Sequence, residues 1–222
     1  MNQIQSPPKS RVLIVDDHPL VRAGLKSLIE EESDLDVCGE AEGYSQALSL
    51  LEKLDPDLMV VDISIKDGNG LELVQTAKSI KPELKMIVAS VHDEALYAER
   101  VLHAGAVGYV NKEAATEKIV EAIRSVLRGK VYLSEEMTER LLLNAAQVSQ
   151  SQERSPLEKL SNRELEVFEM IGNGLSTKEI AEKIHLSVKT IETYRDNLKK
   201  KLNLQSGNEL LRYAIQWVNE KM

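Results

Sequence analysis

The chain has 222 residues, of which 42% are hydrophobic and 29% charged, as in ordinary globular proteins. Residues 1–154 carry a net charge of −9 and residues 155–222 a net charge of +1, so overall charge gives no argument for binding to nucleic acid. The single cysteine, Cys38, excludes an internal disulfide, and no apolar run reaches the ~20 residues that a membrane span needs. We therefore expect a cytoplasmic protein without membrane contact.

The first half of the chain alternates short apolar runs with helical patterns five times. Strands are predicted at residues 11–15, 36–41, 57–61, 85–89 and 106–110, and helices at residues 19–31, 45–54, 71–80, 94–103 and 115–127. Strands that are apolar along their whole length are typical of a parallel sheet buried on both faces. The sequence therefore predicts an α/β doubly wound (βα)5 domain, with ligands at the carboxyl ends of its strands.

The same patterns predict where the domains lie. Residues 1–10 are polar with two prolines, and we interpret them as a disordered lead-in to a first domain at residues 11–128. Residues 129–156 are interpreted as a linker with an embedded helix at residues 135–146. Residues 157–222 show only helical patterns, which predicts a second, smaller all-α domain.

Carboxylates follow two strands that a doubly wound sheet makes neighbours. Asp16 and Asp17 come directly after the first strand, and Asp62 comes directly after the third. Carboxylates this close repel one another and raise one another's pKa. A bound Mg²⁺, which prefers oxygen ligands, removes this repulsion. Ser90 and Lys112 follow the fourth and fifth strands. One Asp after a strand is more often a helix N-cap, but five such residues in order favour phosphoryl transfer to an aspartate.

The C-terminal region shows three helix starts. Ser161 with Glu164, and Ser176 with Glu179, have the spacing of a capping box, and Ser187 is placed to cap a third helix. Two short helices joined by a tight turn predict a helix-turn-helix.

The third of these helices is amphipathic. Its inward face is predicted to carry Val188, Ile191, Leu198 and Leu202, with the stem of Arg195 between them. The opposite face carries Lys189, Thr193, Asp196 and Lys200, with Glu192 beside them and three lysines at the end of the helix. The pattern alone is equally typical of a surface helix with a cationic last turn.

Four segments of the first domain resemble the receiver domain of response regulators: VLIVDDHPLVRAGL, VVDISIKDGNGLEL, IVASVHDE and GAVGYVNKE. The resemblance implies that Asp62 accepts a phosphoryl group. It implies that Asp16, Asp17, Asp62 and the backbone carbonyl of Ser64 bind Mg²⁺. It also implies that Ser90 and Tyr109 form a switch pair and that Lys112 contacts the phosphoryl group.

Two further features of this edge are interpreted as structural. His18 and His92 flank this edge but lack metal-ligand spacing, and they are interpreted as loop residues and not as ligands. The DGNG segment at residues 67–70 is interpreted as a turn with glycines at positive φ, followed by a helix start.

The C-terminal segment LSNRELEVFEMIGNGLSTKEIAEKIHLSVKTIETYRDNLKKKLNL resembles the LuxR-type DNA-binding domain of the NarL/FixJ group. The resemblance implies a helix-turn-helix from about Thr177 to Asp196, with the helix after Ser187 in the major groove and a dimerisation helix at residues 207–219. The expected DNA contacts are Lys189, Thr190, Glu192, Thr193, Asp196, Lys199, Lys200 and Lys201. Family members often have His at the position of Tyr194, and several have Lys at the position of Glu192 or Asp196, so the target sequence stays open.

These observations predict a transcription regulator rather than an enzyme. A sensor histidine kinase would phosphorylate it, a homodimer would bind DNA, and RNA polymerase is a candidate partner. An aspartyl-phosphate phosphohydrolase is the first alternative, but such enzymes usually need a second Asp where this chain has Ser64. The second alternative is a DNA-binding dimer blind to phosphorylation, which the complete acidic set argues against.

Overall fold

The computed structural model describes residues 8–112, 115–146 and 156–219. The chain divides into two compact units, residues 1–148 and 149–222. Most of the predicted lead-in, residues 1–7, and most of the polar end of the predicted linker, residues 147–155, lie outside the described residues. Among the residues described, no helix combines the length and apolar character that crossing a membrane requires.

The first unit contains the predicted doubly wound sheet. Its strands are β1 (Ser10–Val15), β2 (Leu35–Ala41), β3 (Leu58–Val61), β4 (Ser64–Ile65), β5 (Gly68–Asn69), β6 (Lys85–Ser90) and β7 (Gly108–Asn111). Its helices are α1 (Pro19–Glu30), α2 (Tyr44–Leu54), α3 (Gly70–Ile80), α4 (Glu94–Ala104), α5 (Ala115–Leu127) and α6 (Glu135–Ala146). The five main strands are parallel in the order β2-β1-β3-β6-β7, which confirms the predicted fold class.

Apolar residues from both sides of the sheet form the core of this unit. Alternate strand residues pack with Leu25 and Ile29 of α1 and with Ile119 and Ile123 of α5, while α3 packs beside α2 and α4. The strands β1 and β3 are fully buried over Val12–Val15 and Leu58–Val61. This rigid sheet fixes the strand ends that carry the acidic residues.

The short antiparallel pair β4–β5, which the sequence did not predict, follows the end of β3. The region predicted as a linker also differs from the prediction. Tyr132 pairs with the β7 edge, because its N–H donates to the carbonyl of Val107 at 2.9 Å and its carbonyl accepts from the N–H of Tyr109 at 2.8 Å. The embedded helix is present as α6, with Met137 buried, and it packs against α4. Residues 130–146 therefore belong to the first unit.

The second unit is all-α, as predicted. A 3-10 turn at Pro156–Lys159 precedes α7 (Asn162–Gly172), α8 (Thr177–Lys183), α9 (Val188–Lys201) and α10 (Gly207–Asn219). Both predicted capping boxes are present, and Ser187 caps α9 through the N–H of Thr190. The ring of Phe168 in α7 contacts Tyr213 and Trp217 of α10, with ring centres 5.6 and 5.5 Å apart.

Candidate functional site

The sheet brings the three predicted carboxylates to one edge. Asp16 and Asp17 follow β1, and Asp62 follows β3, its neighbour. The N–H of Asp62 donates to the carbonyl of Val15 at 2.8 Å, which holds the two strand ends together. Asp16 is 1% exposed and Asp62 is 4% exposed. Buried carboxylates of this kind require cations or hydrogen-bond donors close by.

Lys112 supplies one such cation. Its Nζ lies 2.6 Å from Oδ2 of Asp16 and 2.6 Å from Oδ2 of Asp62. Burial raises the pKa of Asp62 above its ordinary value, although the Lys112 ammonium opposes this rise. Burial also works to lower the pKa of Lys112, but the charges of Asp62 and Asp16 outweigh it, so that pKa is raised. Lys112 therefore stays charged beside the proposed acceptor.

The edge also has the donor set of a hard divalent cation. Asp16, Asp17, His18 and Asp62 each offer one ligand atom, and these atoms lie within 4.8 Å of one another. Oδ1 of Asp62 is buried and, among the described residues, has no hydrogen-bond partner. A cluster of carboxylate oxygens with one buried oxygen left unsatisfied suits Mg²⁺.

His18 lies at this cluster, where the sequence analysis placed it as a flanking loop residue, but its contacts with the carboxylates were not predicted. Its Nδ1 is 2.6 Å from Oδ1 of Asp17, and its side chain is 60% exposed. Its N–H donates to Oδ1 of Asp16 at 2.9 Å. His18 therefore orients both carboxylates from the rim of the site.

The predicted switch residues lie inside the first unit. Ser90 is fully buried and Tyr109 is 2% exposed. The hydroxyl of Tyr109 donates to the backbone carbonyl of His92, so the ring occupies the interior in this structure.

His92, the second histidine expected to flank the site, makes contacts that the sequence did not predict. It is 6% exposed, and its Nε2 lies 3.2 Å from the hydroxyl of Ser64. Its ring packs against Tyr97 with ring centres 4.9 Å apart. The only sequence signal was its position, two residues after Ser90, just as Ser64 stands two residues after Asp62.

The DGNG segment forms a turn and a helix start, but its glycines are not the residues at positive φ. Asp67 adopts φ of 51°, and its carboxylate accepts from the N–H groups of Tyr44 and Ser45 at the start of α2. Gly70 is required for close packing, because a Cβ there would lie 1.9 Å from the carbonyl oxygen of Asp62. The segment thus shapes the acceptor loop through contact rather than through glycine conformation.

The exposed face predicted for the third C-terminal helix is present on α9. Six of the expected DNA-contacting residues are exposed to solvent: Lys189, Glu192, Thr193, Asp196, Lys200 and Lys201. Asp196 pairs with Lys199 at 2.9 Å, so this carboxylate and this ammonium partly neutralise each other. Lys200 remains exposed on that face, where a phosphate could reach it.

Val188 differs from the sequence prediction, and two of the expected DNA-contacting residues, Thr190 and Lys201, have contacts within the second unit. Val188, predicted to face inward, is 45% exposed because it is the first residue of the helix and lies beyond the helix packing. The hydroxyl of Thr190 lies 2.7 Å from that of Ser187, so it belongs to the N-terminal cap. Lys201 is directed to Glu164 of α7, at 2.6 Å.

Comparison with protein families gives two matches that together span most of the chain. Residues 12–124 match the response regulator receiver domain. Residues 158–214 match the bacterial regulatory proteins of the luxR family.

Individual relatives match over nearly their whole length. The response regulator GacA of Pseudomonas aeruginosa is 35% identical over 206 residues, which cover 93% of this chain and 95% of GacA. RcsB of Salmonella enterica serovar Typhimurium, solved bound to promoter P1flhDC with the phosphomimetic BeF3⁻, is 28% identical with a TM-score of 0.61, covering 93% of this chain and 98% of RcsB. A structure of two RcsB dimers bound to two parallel DNAs is 29% identical with a TM-score of 0.56, covering 92% and 97%.

Proposed function

The chain belongs to the response regulators that join a receiver domain to a LuxR-type DNA-binding domain, and from this premise we propose that its signal enters as a phosphoryl group on Asp62. The observation that carries the proposal is the difference between the contacts of the two carboxylate oxygens of Asp62. Its Oδ2 contacts Lys112, whereas its Oδ1 is buried and has no hydrogen-bond partner among the described residues. One oxygen is thus held, and the other is left to attack phosphorus.

The residues around Asp62 have separate tasks in this proposal. Oδ1 attacks the phosphorus of a phosphohistidine on a sensor kinase, and the histidine nitrogen leaves with the electron pair of the broken P–N bond. Lys112 balances charge on the phosphoryl oxygens. Asp16, Asp17, Asp62 and the Ser64 carbonyl would hold Mg²⁺, which supplies further positive charge to the same oxygens.

Mass spectrometry tests this assignment and its dependence on the cation. A small acyl-phosphate donor with Mg²⁺ should add one phosphoryl group to the wild-type protein, on the peptide that contains Asp62. A chelator should suppress the addition, because the buried carboxylates then lack one source of positive charge. A phosphoryl group mapped to any other peptide would contradict the proposal.

We propose that Ser90 and Tyr109 transmit the signal. A phosphoryl oxygen on Asp62 accepts a hydrogen bond from the Ser90 hydroxyl, which favours the inward Tyr109 ring that donates to His92. Phosphorylation then shifts a population between two states, and needs only to prefer one of them.

Removing the Ser90 hydroxyl should separate phosphorylation from response. The Ser90→Ala protein should accept the phosphoryl group, because Asp62 and Lys112 are unchanged, but its DNA affinity should rise much less on phosphorylation than that of wild type. Parallel measurements of label incorporation and of DNA binding test this. A gain in affinity equal to that of wild type would show that Ser90 does not transmit the signal.

We propose that α9 enters the major groove of DNA. The exposed Lys189 and Lys200 contact phosphates, which gives affinity without sequence choice, while Thr193 and the exposed carboxylates contribute to base choice. The exposed Val188, beside Lys189 at the start of α9, is suited to contact a thymine methyl group. The RcsB structures on DNA support this assignment.

Salt dependence distinguishes the two kinds of contact. Lys200→Ala should weaken binding to all sequences and flatten the salt slope by about one unit, because one phosphate contact is lost. Thr193→Ala should leave the slope unchanged and alter which sequences are selected from a random pool. If Lys200→Ala leaves both affinity and slope unchanged, α9 does not lie against the DNA backbone.

Further parts of the proposal concern assembly and location. We propose that the protein binds DNA as a homodimer through α10, where Leu211 and Ile215 lie one turn apart and are each 37% exposed. RNA polymerase remains a candidate partner, and a cytoplasmic location follows from the DNA that the protein would regulate. We propose no turnover of an external substrate, because Ser64, which contacts His92, stands where a phosphohydrolase would need its general acid.

A further inference from the structure

The three lysines that end α9 have three different surroundings. Successive residues of an α-helix lie about 100° apart around its axis, so Lys199, Lys200 and Lys201 cannot share one face. Lys199 pairs with Asp196 at 2.9 Å, and Lys200 is exposed. Lys201 is also exposed, at 41%, but its Nζ lies 2.6 Å from Oε2 of Glu164 and 3.4 Å from the carbonyl oxygen of Lys159. Its charge is therefore directed toward the start of α7.

Glu164 serves two partners with one carboxylate oxygen. Its Oε2 accepts from the N–H of Ser161 at 2.7 Å, which completes the capping box of α7, and also contacts Lys201. The residue is 4% exposed. Burial works to raise the pKa of Glu164, but Lys201 and Ser161 outweigh burial and the pKa is lowered. The charged carboxylate is thus stabilised by both helices.

The second capping box of this unit provides a comparison within the same structure. Glu179 completes the cap of α8 by accepting from the N–H of Ser176 at 2.8 Å. Its carboxylate is exposed, and hydrogen bonds from Ser176 lower its pKa. A capping box therefore requires neither a buried carboxylate nor a lysine. The contact between Glu164 and Lys201 is not needed to cap α7.

We infer that Lys201 and Glu164 are positioning residues for DNA binding, which fix the C-terminal end of α9 against α7; this rests on the proposed role of α9. The helix has 14 residues, about 21 Å in length. Leu198 is buried at the beginning of the last turn, and the ion pair between Lys201 and Glu164 adds a second attachment where the helix ends. A small swing of that turn would move Lys200 away from the phosphate it contacts. Lys201, by contrast, makes no phosphate contact.

Charge alone and positioning predict opposite effects for one substitution. Glu164→Gln removes a negative charge near the DNA-binding helix, so simple attraction to DNA would increase. Its amide oxygen can still accept from Ser161 and maintain the cap. If the ion pair positions α9, the same substitution weakens binding instead, because the buried partner of Lys201 has lost its charge.

The experiment measures the affinity of the full-length protein for a labelled duplex that the wild type has selected from a random pool. The titration is repeated over a series of salt concentrations, at a temperature at which circular dichroism shows each variant to be folded. Lys201→Ala and Glu164→Gln should each raise the Kd about tenfold with the salt slope unchanged. The double variant should be no weaker than either single variant, because both remove the same interaction.

Matched controls separate the outcomes. Glu42→Gln should leave Kd within about twofold of wild type, because this exposed carboxylate pairs with Lys66 in the first unit, outside the helix-turn-helix. Hydrogen exchange of the last turn of α9 should accelerate in Lys201→Ala and in Glu164→Gln but not in Lys200→Ala, a readout that is independent of DNA.

Two results would overturn the inference. If Lys201→Ala flattens the salt slope by about one unit while Glu164→Gln leaves binding unchanged or tighter, Lys201 is a phosphate contact. Unchanged hydrogen exchange in both variants would show that the pair does not hold the helix end. Failure of the proposed role of α9 gives a different pattern, because Lys200→Ala and Thr193→Ala would then leave DNA binding unaltered.

Discussion

Replacing Asp62 by Asn is expected to abolish phosphoryl incorporation. The amide that replaces Oδ1 or Oδ2 is almost the same size, so the packing at the end of β3 can be retained. An amide is not a nucleophile toward phosphorus under these conditions, and it cannot balance the charge of Lys112. Labelling from an acyl-phosphate donor in Mg²⁺ should therefore fall to background, and DNA affinity should no longer respond to the donor.

Two other Asp→Asn substitutions test whether the loss of labelling is specific to Asp62. Asp36→Asn alters an exposed carboxylate on the edge strand β2 and should leave labelling at the wild-type level. Asp17→Asn retains the acceptor but removes one ligand of the proposed cation, so it should slow labelling and increase the Mg²⁺ concentration that is needed. Equal labelling of Asp62→Asn and wild type would refute the assignment of Asp62.

The sequence was sufficient to predict the sheet and the residues at its carboxyl edge. The central strands β1 and β3 are apolar over their buried residues, and a parallel sheet places the ends of neighbouring strands side by side. The close approach of Asp16, Asp62 and Lys112 follows from that topology, because each comes directly after a strand or within two residues of one. Local patterns were likewise sufficient for the capping boxes, since a cap depends on residues only three apart.

Contacts between elements that are far apart in the chain could not be predicted from the sequence. Lys201 and Glu164 lie 37 residues apart and meet only because of how α9 crosses α7. Tyr132 joins the β7 edge through a single residue, too short to give a strand pattern. Helical periodicity predicted which face of α9 carries Val188. It did not predict that this first residue of the helix would be 45% exposed. The contacts of His92 were missed because they come from Ser64 and Tyr109, on other strands.

Gly70 is the second position where a substitution should have a large effect. Its close contact with Asp62 could not be predicted from the sequence. A Cβ on Gly70 would lie 1.9 Å from the carbonyl oxygen of Asp62 and 2.9 Å from the Cα of Ile63. Neither atom belongs to a flexible side chain, so either the start of α3 or the acceptor loop must move. The N–H of Gly70 donates to the carbonyl of Ile63 at 2.8 Å, and this hydrogen bond would also be strained.

Gly70→Ala should therefore lower the free energy of unfolding of the first unit by at least the roughly 1–3 kcal/mol that overpacking costs. It should also reduce labelling of Asp62 strongly, since movement of the Asp62 backbone separates its carboxylate from Lys112 and from Asp16.

Gly24→Ala is the matched control, because a Cβ there meets no atom within 4 Å and Gly24 lies in the exposed middle of α1. That control should be neutral or more stable by up to about 1 kcal/mol, from the higher helix propensity of Ala. Denaturant unfolding and labelling of both variants test the pair of expectations. If Gly70→Ala unfolds and labels as Gly24→Ala does, the close contact between Gly70 and Asp62 does not shape the acceptor site.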